Sequence, residues 1–304
     1  MLRLNNALLS MKPCMQPKHL QSTKLFALAT TVNLLFVIVE AGYAWRAHSM
    51  SLLADAGHNV GDVVGLAVSG IAVWMLKKPR NDRYSYGFKR MTIIAALLNA
   101  VLLLLTTGAI LIKSVYKLSH PLPIQADIVM LVAAAGILVH GGTALCFVHD
   151  HGDLNIKSNF LHLAWDAMLS IVIVAVGAVT GWTHWLWLDP GVAIVFALWL
   201  FYNVFGLLRQ VLSLSLDAVP RGINPDHVKT YLQQLPLVTD VHHLHIWALS
   251  TQQVALTVHL VVPSGLLDQD TRRKVSYELA QKFNIQHATL QVEQHTQPFS
   301  CQTC

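Results

Sequence analysis

His58-Asn-Val-Gly-Asp62 and His162-Leu-Ala-Trp-Asp166 repeat one spacing, an imidazole followed four residues later by a carboxylate. On a helix, residues four apart lie on one face, one turn above the other. Two such faces turned towards each other supply two nitrogens and two oxygens, a donor set that suits four-coordinate, tetrahedral zinc. Imidazoles favour a transition metal over magnesium or calcium, which prefer oxygen shells. The alternative is that these are polar packing residues between helices. A charged group at mid-membrane costs about 2.5–3.5 kcal/mol on insertion scales, so an acid in an apolar helix is a functional candidate by default. The same spacing in two different apolar runs favours the metal site.

Both motifs lie in segments made to cross a bilayer. The chain has 304 residues, 54% hydrophobic and 12% charged, against about 25% charged in an ordinary soluble domain. Six apolar runs approach or exceed the roughly 20 residues needed to span: about 25–45, 51–76, 91–112, 126–148, 159–181 and 185–208. The second carries Asp55, His58 and Asp62, and the fifth His162 and Asp166. The net charge of +5 does not indicate a nucleic-acid partner, because the basic residues flank apolar runs. Cys14, Cys146, Cys301 and Cys304 are too scattered for a disulfide scaffold. Residues 1–24 form a tail without the apolar core of a cleavable signal, so the first membrane helix is expected to direct insertion.

Lys and Arg set the expected orientation. The tail has Arg3, Lys12, Lys18 and Lys24, and the loop 77–90 has Lys77, Lys78, Arg80, Arg83, Lys89 and Arg90. The opposite loops hold only Arg46, Lys113 and Lys117. Both termini are therefore expected in the cytoplasm, with Trp182, Trp185 and Trp187 in an aromatic belt at the far interface.

Composition changes after Asp217, and residues 219–304 read as a soluble domain following a transport domain over 25–210. Asn224-Pro225-Asp226 opens a helix. Strands are expected at 241–249 and 252–262 around a Ser250-Thr251 turn, then a helix at 268–283 and a strand at 288–294. On that last strand His287, Thr289, Gln291 and Glu293 face one way. The fold class expected is a membrane all-α six-helix domain plus a C-terminal α+β domain of order αββαβ, like a metallochaperone. Metal ligands must shed protons, so protons and metal compete. An imidazole titrates near about 6.5, so a pH difference across the membrane can load one side and unload the other. The expected activity is exchange of cytoplasmic metal for external protons.

Several stretches together resemble the cation diffusion facilitators, especially their zinc exporters. These are Ser51-Leu-Leu-Ala-Asp-Ala-Gly-His58, Arg83-Tyr-Ser-Tyr-Gly-Phe-Lys-Arg90, Leu154-Asn-Ile, Phe160-Leu-His162, Asp189-Pro190 and Val241-His-His-Leu-His-Ile-Trp247. The resemblance runs from about residue 25 onwards. It implies a homodimer in a membrane, the bacterial inner membrane being expected, and proton-coupled zinc export. His at the position of His58 generally accompanies preference for zinc over cadmium in that family. The resemblance also implies that His242, His259, His287, Glu293, Cys301 and Cys304 bind zinc between paired cytoplasmic domains. Two features differ from many relatives. The loop between the fourth and fifth helices is short, with His149 and His151, and the loop after the second has Asp82 and no His.

Asp55, three residues before His58, reads either as a proton carrier supporting the ligands or as a packing acid. Glu40 reads as a buried, hydrogen-bonded group, and His140 and Cys146 as packing. His149, His151 and Asp153 form either a metal-collecting mouth or a solvated loop. Cys301-Gln-Thr-Cys304 alone fits a redox pair or a tail as well as a zinc clip, and His243 and His245 read as structural unless one replaces His242. Two other classes compete. An intramembrane zinc enzyme needs an open coordination position and finds no HExxH helix here. A membrane metal sensor would signal through the C-terminal domain, where no kinase, nucleotide or DNA-binding motif stands.

Overall fold

The computed structural model describes residues 20–147 and 154–294, with side chains described for 31–145 and 161–294. His149, His151, Asp153, Cys301 and Cys304, and the side chain of Cys146, lie outside that description. Six long helices come first: α1 (Leu20–Arg46), α2 (Met50–Leu76), α3 (Met91–Ser119), α4 (Ala126–Phe147), α5 (Leu154–Thr183) and α6 (Leu188–Ser215). A backbone in hydrocarbon must satisfy its own hydrogen bonds, which a helix does. Among the described residues, α2 to α6 each contain a stretch long and apolar enough to cross a membrane. Their surfaces agree. Leu131, Leu138 and Leu145 recur every seven residues on α4 and are 72%, 76% and 68% exposed, an apolar stripe that suits lipid and not water. The chain is an integral, multi-pass membrane protein.

The helices outrun the apolar runs. Expected to end near residue 112, α3 continues to Ser119 through Lys113 and Lys117. Both lysines are accommodated: Lys113 Nζ lies 4.6 Å from the centre of the Trp45 ring, and Lys117 is buried beside Asp189. Lysines near helix ends keep their stems in the apolar phase and find a partner for the head. Likewise α6 runs past Arg209 to Ser215.

The described residues form two compact units. One is built on α1, α4, α5 and the adjoining ends of α2, α3 and α6. Its small residues pack closely: a Cβ on Gly57 would meet Ile110 Cδ1 at 2.7 Å. Its helix ends are joined by Asp189, which is fully buried. The Asp189 carboxylate accepts from Ser49 Oγ (2.6 Å), Met50 N (2.7 Å), Ser51 N (3.2 Å) and Ser51 Oγ (2.6 Å). It thereby satisfies amide groups that the start of α2 leaves without intrahelical partners. Lys117 Nζ stands 3.4 Å from Asp189 and also donates to the His48 carbonyl.

The second unit holds the remaining parts of α2, α3 and α6 with the C-terminal domain. Gly61 and Gly65 continue the close packing: an added Cβ would lie 2.2 Å from Leu103 Cδ2 and 2.5 Å from Asn99 Oδ1. Gly57, Gly61 and Gly65 thus form a four-residue repeat of the kind that lets membrane helices approach.

The C-terminal domain follows the expected order, α7 (Pro225–Gln233), β1 (Asp240–Ala248), β2 (Val254–Val261), α8 (Gln269–Phe283) and β3 (His287–Glu293). Asn224 caps α7 by accepting from Asp226 N, and Asp268 caps α8 by accepting from Thr271 N. Asn284 ends α8 in the left-handed conformation, φ 56°. β1 pairs antiparallel with β2, and β3 adds parallel to β2 after the α8 crossover, giving the order β1-β2-β3. Val228, Leu232, Ile246, Leu256, Val258, Leu260, Val275, Leu279 and Ile285 form the core that holds α7 and α8 on one face of the sheet.

Candidate metal centres

Because α2 and α5 are unbroken over their motifs, each His–Asp pair occupies one helix face as its spacing demands. The His58 and His162 rings meet edge to face with centroids 5.9 Å apart. Phe196 stands edge-on to His58 at 6.2 Å, an apolar wall beside the imidazoles. One ligand atom each from His58, Asp62 and His162 falls within 4.8 Å of the others, close enough to share one cation. Asp166 is buried one turn beyond His162, with its Oδ2 3.6 Å from His162 Nε2. Three of the four expected ligands therefore form one compact group, and the fourth joins it through His162. His58 and Asp62 are half-buried, while the His162 side chain is 46% exposed. Two imidazoles with carboxylates at this separation can exchange protons for a divalent cation, since both require the same lone pairs.

Asp55 is buried in the same helix, one turn before His58. Glu40 is buried too and accepts from Asn59 Nδ2 at 3.3 Å. His140 is buried with its ring edge-on to Phe36 at 5.3 Å.

The C-terminal domain holds a second group. His242 and His259 are directly opposite across the β1–β2 ladder, and Glu293 ends the neighbouring β3. Glu293 Oε1 lies 2.7 Å from His259 Nδ1 and Oε2 lies 3.3 Å from His242 Nε2. These three residues offer ligand atoms within 4.8 Å of one another. His287 does not join them. It begins β3 opposite Ala255, six residues before Glu293, and its ring packs against Tyr86 at 5.6 Å. A strand rises about 3.3 Å per residue, so His287 stands well apart from Glu293 along β3 within one protomer.

Sequence reasoning gave Asp189 and Lys117 no part in joining helices and passed over the glycine repeat. The glycine spacing was visible as a signal for close helix packing. The partnership of Asp189 with the start of α2 spans 138 residues and had no local sign.

Comparison with known proteins gives two family matches. A model described as cation efflux transmembrane domain covers residues 26–214. One described as cation efflux protein, cytoplasmic domain, covers residues 220–295. The cation efflux system protein CzcD of an Alcaligenes species is 30% identical over 269 residues, 88% of this chain and 84% of that protein. The zinc transporter ZitB of Escherichia coli is 28% identical over 277 residues, 88% of this chain and 86% of its own. The human proton-coupled zinc antiporter SLC30A2 is 26% identical over 303 residues, 95% of this chain and 82% of its own. Among solved structures, the metal-bound C-terminal domain of the CzcD transporter from Cupriavidus metallidurans is 33% identical. It covers 23% of this chain and 99% of that one, with a TM-score of 0.22.

Proposed function

The chain belongs to the cation efflux family, and from that membership we propose that it exports divalent zinc from the cytoplasm in exchange for protons. Family and relatives make it a metal cation transporter. The observation that carries the finer reading is the meeting of His58 and His162 at 5.9 Å, with Asp62 on the first helix and Asp166 on the second. In this reading the four residues hold zinc tetrahedrally as transported substrate. Protonation of the imidazoles and carboxylates at the outer face releases it, and deprotonation at the inner face reloads the site. Cadmium, cobalt, nickel and iron share enough of the ligand chemistry to be secondary substrates. Asp55, buried one turn before His58, serves as the adjoining proton carrier.

Residues 25–210 form the transport domain and residues 219–304 a cytoplasmic regulatory and dimerisation domain. The protein works as a homodimer in a bacterial plasma membrane with both termini cytoplasmic. Supporting that orientation, six basic residues lie in the loop 77–90. The grouping of His242, His259 and Glu293 supports a second, regulatory zinc site in the cytoplasmic domain.

The test is transport into vesicles containing purified protein, with an imposed pH gradient. Zinc uptake should follow the gradient, collapse when it is dissipated, and vanish in Asp62→Ala and Asp166→Ala. Uptake that ignores the gradient removes proton coupling, and uptake that survives both substitutions removes the site.

A further inference from the structure

Arg83-Tyr-Ser-Tyr-Gly-Phe-Lys-Arg90 holds three cations and three aromatic rings, and the membrane metal group uses none of them. The segment is ordered from within. Asn81 Oδ1 accepts from Tyr84 N at 2.8 Å, Tyr84 O accepts from Gly87 N at 2.9 Å, and Gly87 stands at φ 67°, a conformation glycine adopts freely. The Tyr84 and Phe88 rings pack with centroids 4.8 Å apart, and Tyr86 stands edge-on to His287 at 5.6 Å. This segment, the start of α3 and the end of β1 together wall a cavity of about 370 Å³, within the size range of small-ligand sites. Arg83 and Arg90 line it from the loop, Met91 and Ile94 from α3, and Trp247 and Leu249 from the C-terminal domain. Among the described residues, no acid lines it. Arg90 Nη2 lies 2.6 Å from Asp217, but a guanidinium carries five donors, so that pair does not exhaust it.

The cavity also has an apolar continuation. Ile94 is the first of an exposed series, Ile94, Leu98, Val101 and Leu105, that recurs at helical spacing along one face of α3. Because α3 is long and apolar enough to cross a membrane, this stripe leads from the cavity into hydrocarbon. At the end of α2, Lys78 Nζ stands 4.4 Å from the centre of the exposed Trp74 ring, an interfacial aromatic beside a snorkelling lysine that sets the headgroup level next to this loop. We propose that the cavity holds the phosphate of an anionic phospholipid, with Arg83 and Arg90 on the phosphate and the acyl chains laid along the stripe from Ile94 to Leu105. Guanidinium groups match phosphate oxygens in a bidentate fork, and basic pockets beside membrane helices recognise lipid head groups in this way. A soluble phosphate would use the cations alone, whereas a stripe that starts in the same cavity favours a ligand with a tail. Trp247 and Leu249 bring the C-terminal domain against the same headgroup, so bound lipid ties that domain to the membrane surface.

The experiment titrates the full chain, in a mild nonionic detergent, with phosphatidylglycerol and measures retained lipid by native mass spectrometry. Phosphatidylcholine and inorganic phosphate are run in parallel. Phosphatidylglycerol should be retained, phosphatidylcholine should not, and inorganic phosphate should not displace the bound lipid. Arg83→Gln with Arg90→Gln should weaken retention at least about tenfold, as loss of hydrogen bonds between charged groups does. Lys77→Gln with Lys78→Gln removes as much charge from outside the cavity and should leave retention unchanged. Asp217→Asn, which breaks the Arg90 ion pair but keeps both guanidinium groups, should not weaken it. Parental retention in the arginine variant overturns the proposal. So does equal weakening by the lysine variant, which means diffuse attraction to a basic surface, or displacement by inorganic phosphate, which means a site for a soluble anion. Leu98→Gln should weaken retention as well; if it instead splits a dimer and leaves retention unchanged, a second copy covers this face of α3 and the proposal falls.

Discussion

Asp189 begins α6, yet its carboxylate caps α2, accepting the Met50 amide at 2.7 Å. Ser49, Ser51 and Lys117 bind the same group, so three membrane helices depend on one buried acid. Removing one partner of a buried ion pair costs about 3–5 kcal/mol, whereas replacing both with apolar residues is often near neutral. Asp189→Asn strands the Lys117 ammonium with the His48 carbonyl. Lys117→Met leaves the carboxylate its four donors from Ser49, Met50 and Ser51. The expected order of thermal stability in detergent is therefore parent, then Lys117→Met, then Asp189→Asn. Adding Lys117→Met to Asp189→Asn should recover part of the loss; strictly additive losses would show that the two residues act separately.

The glycine repeat on α2 makes a steric prediction. Gly61→Ala places a Cβ 2.2 Å from Leu103 Cδ2, a distance that forces the neighbour to move. Overpacking of this kind costs about 1–3 kcal/mol. Asp62 is the next residue, so zinc uptake should fall together with stability. Leu103→Ala vacates the colliding atoms and should restore both in the double variant. A Gly61→Ala protein with parental melting and uptake would mean that α3 is not held this close.

What was legible in the sequence was local. The two His–Asp pairs need only the helical repeat, and the αββαβ order of the C-terminal domain follows from capping residues and strand composition. Asn224 and Asp268 mark their helix starts where they stand. What was not legible depends on partners distant along the chain. The end of α3 was read seven residues early because Lys113 and Lys117 look like interface charges until Trp45 and Asp189 are placed beside them. The shift of register between His242 and His245 was hidden as well, because a bulge is a property of two paired strands.

In the C-terminal domain the Tyr231 hydroxyl donates to Glu278 at 3.1 Å. Burial, reinforced by that hydrogen bond, pushes it from an ordinary 10.0 up to about 12. The folded form thus holds its proton more tightly than the unfolded form does. Its contribution to stability is complete below pH 10.0 and is lost as pH rises through about 12. The phenolate absorbance of the parent minus that of Tyr231→Phe isolates this group. The difference should reach half its height near pH 12. A midpoint near that of free tyrosine would show that the hydroxyl is solvated and does not bond Glu278.

Metal choice is the most direct test of the membrane group, because it changes the donors without emptying the site. His58 supplies one of two imidazoles that meet at 5.9 Å. His58→Asp replaces a nitrogen with a carboxylate and leaves one imidazole among three acids. The shorter side chain also retreats from Phe196, which stands 6.2 Å from the His58 ring. A roomier shell with more oxygen donors admits a larger ion, so cadmium should compete with zinc for uptake in His58→Asp much better than in the parent. Zinc transport should persist, since zinc accepts carboxylate oxygen as well as imidazole nitrogen and the number of ligands is unchanged. The measurement is zinc uptake into proteoliposomes against rising cadmium, with Asp166→Ala as the inactive control. An identical cadmium inhibition curve for parent and His58→Asp would place His58 outside the ion's coordination sphere, and the paired-motif account of transport would fall with it.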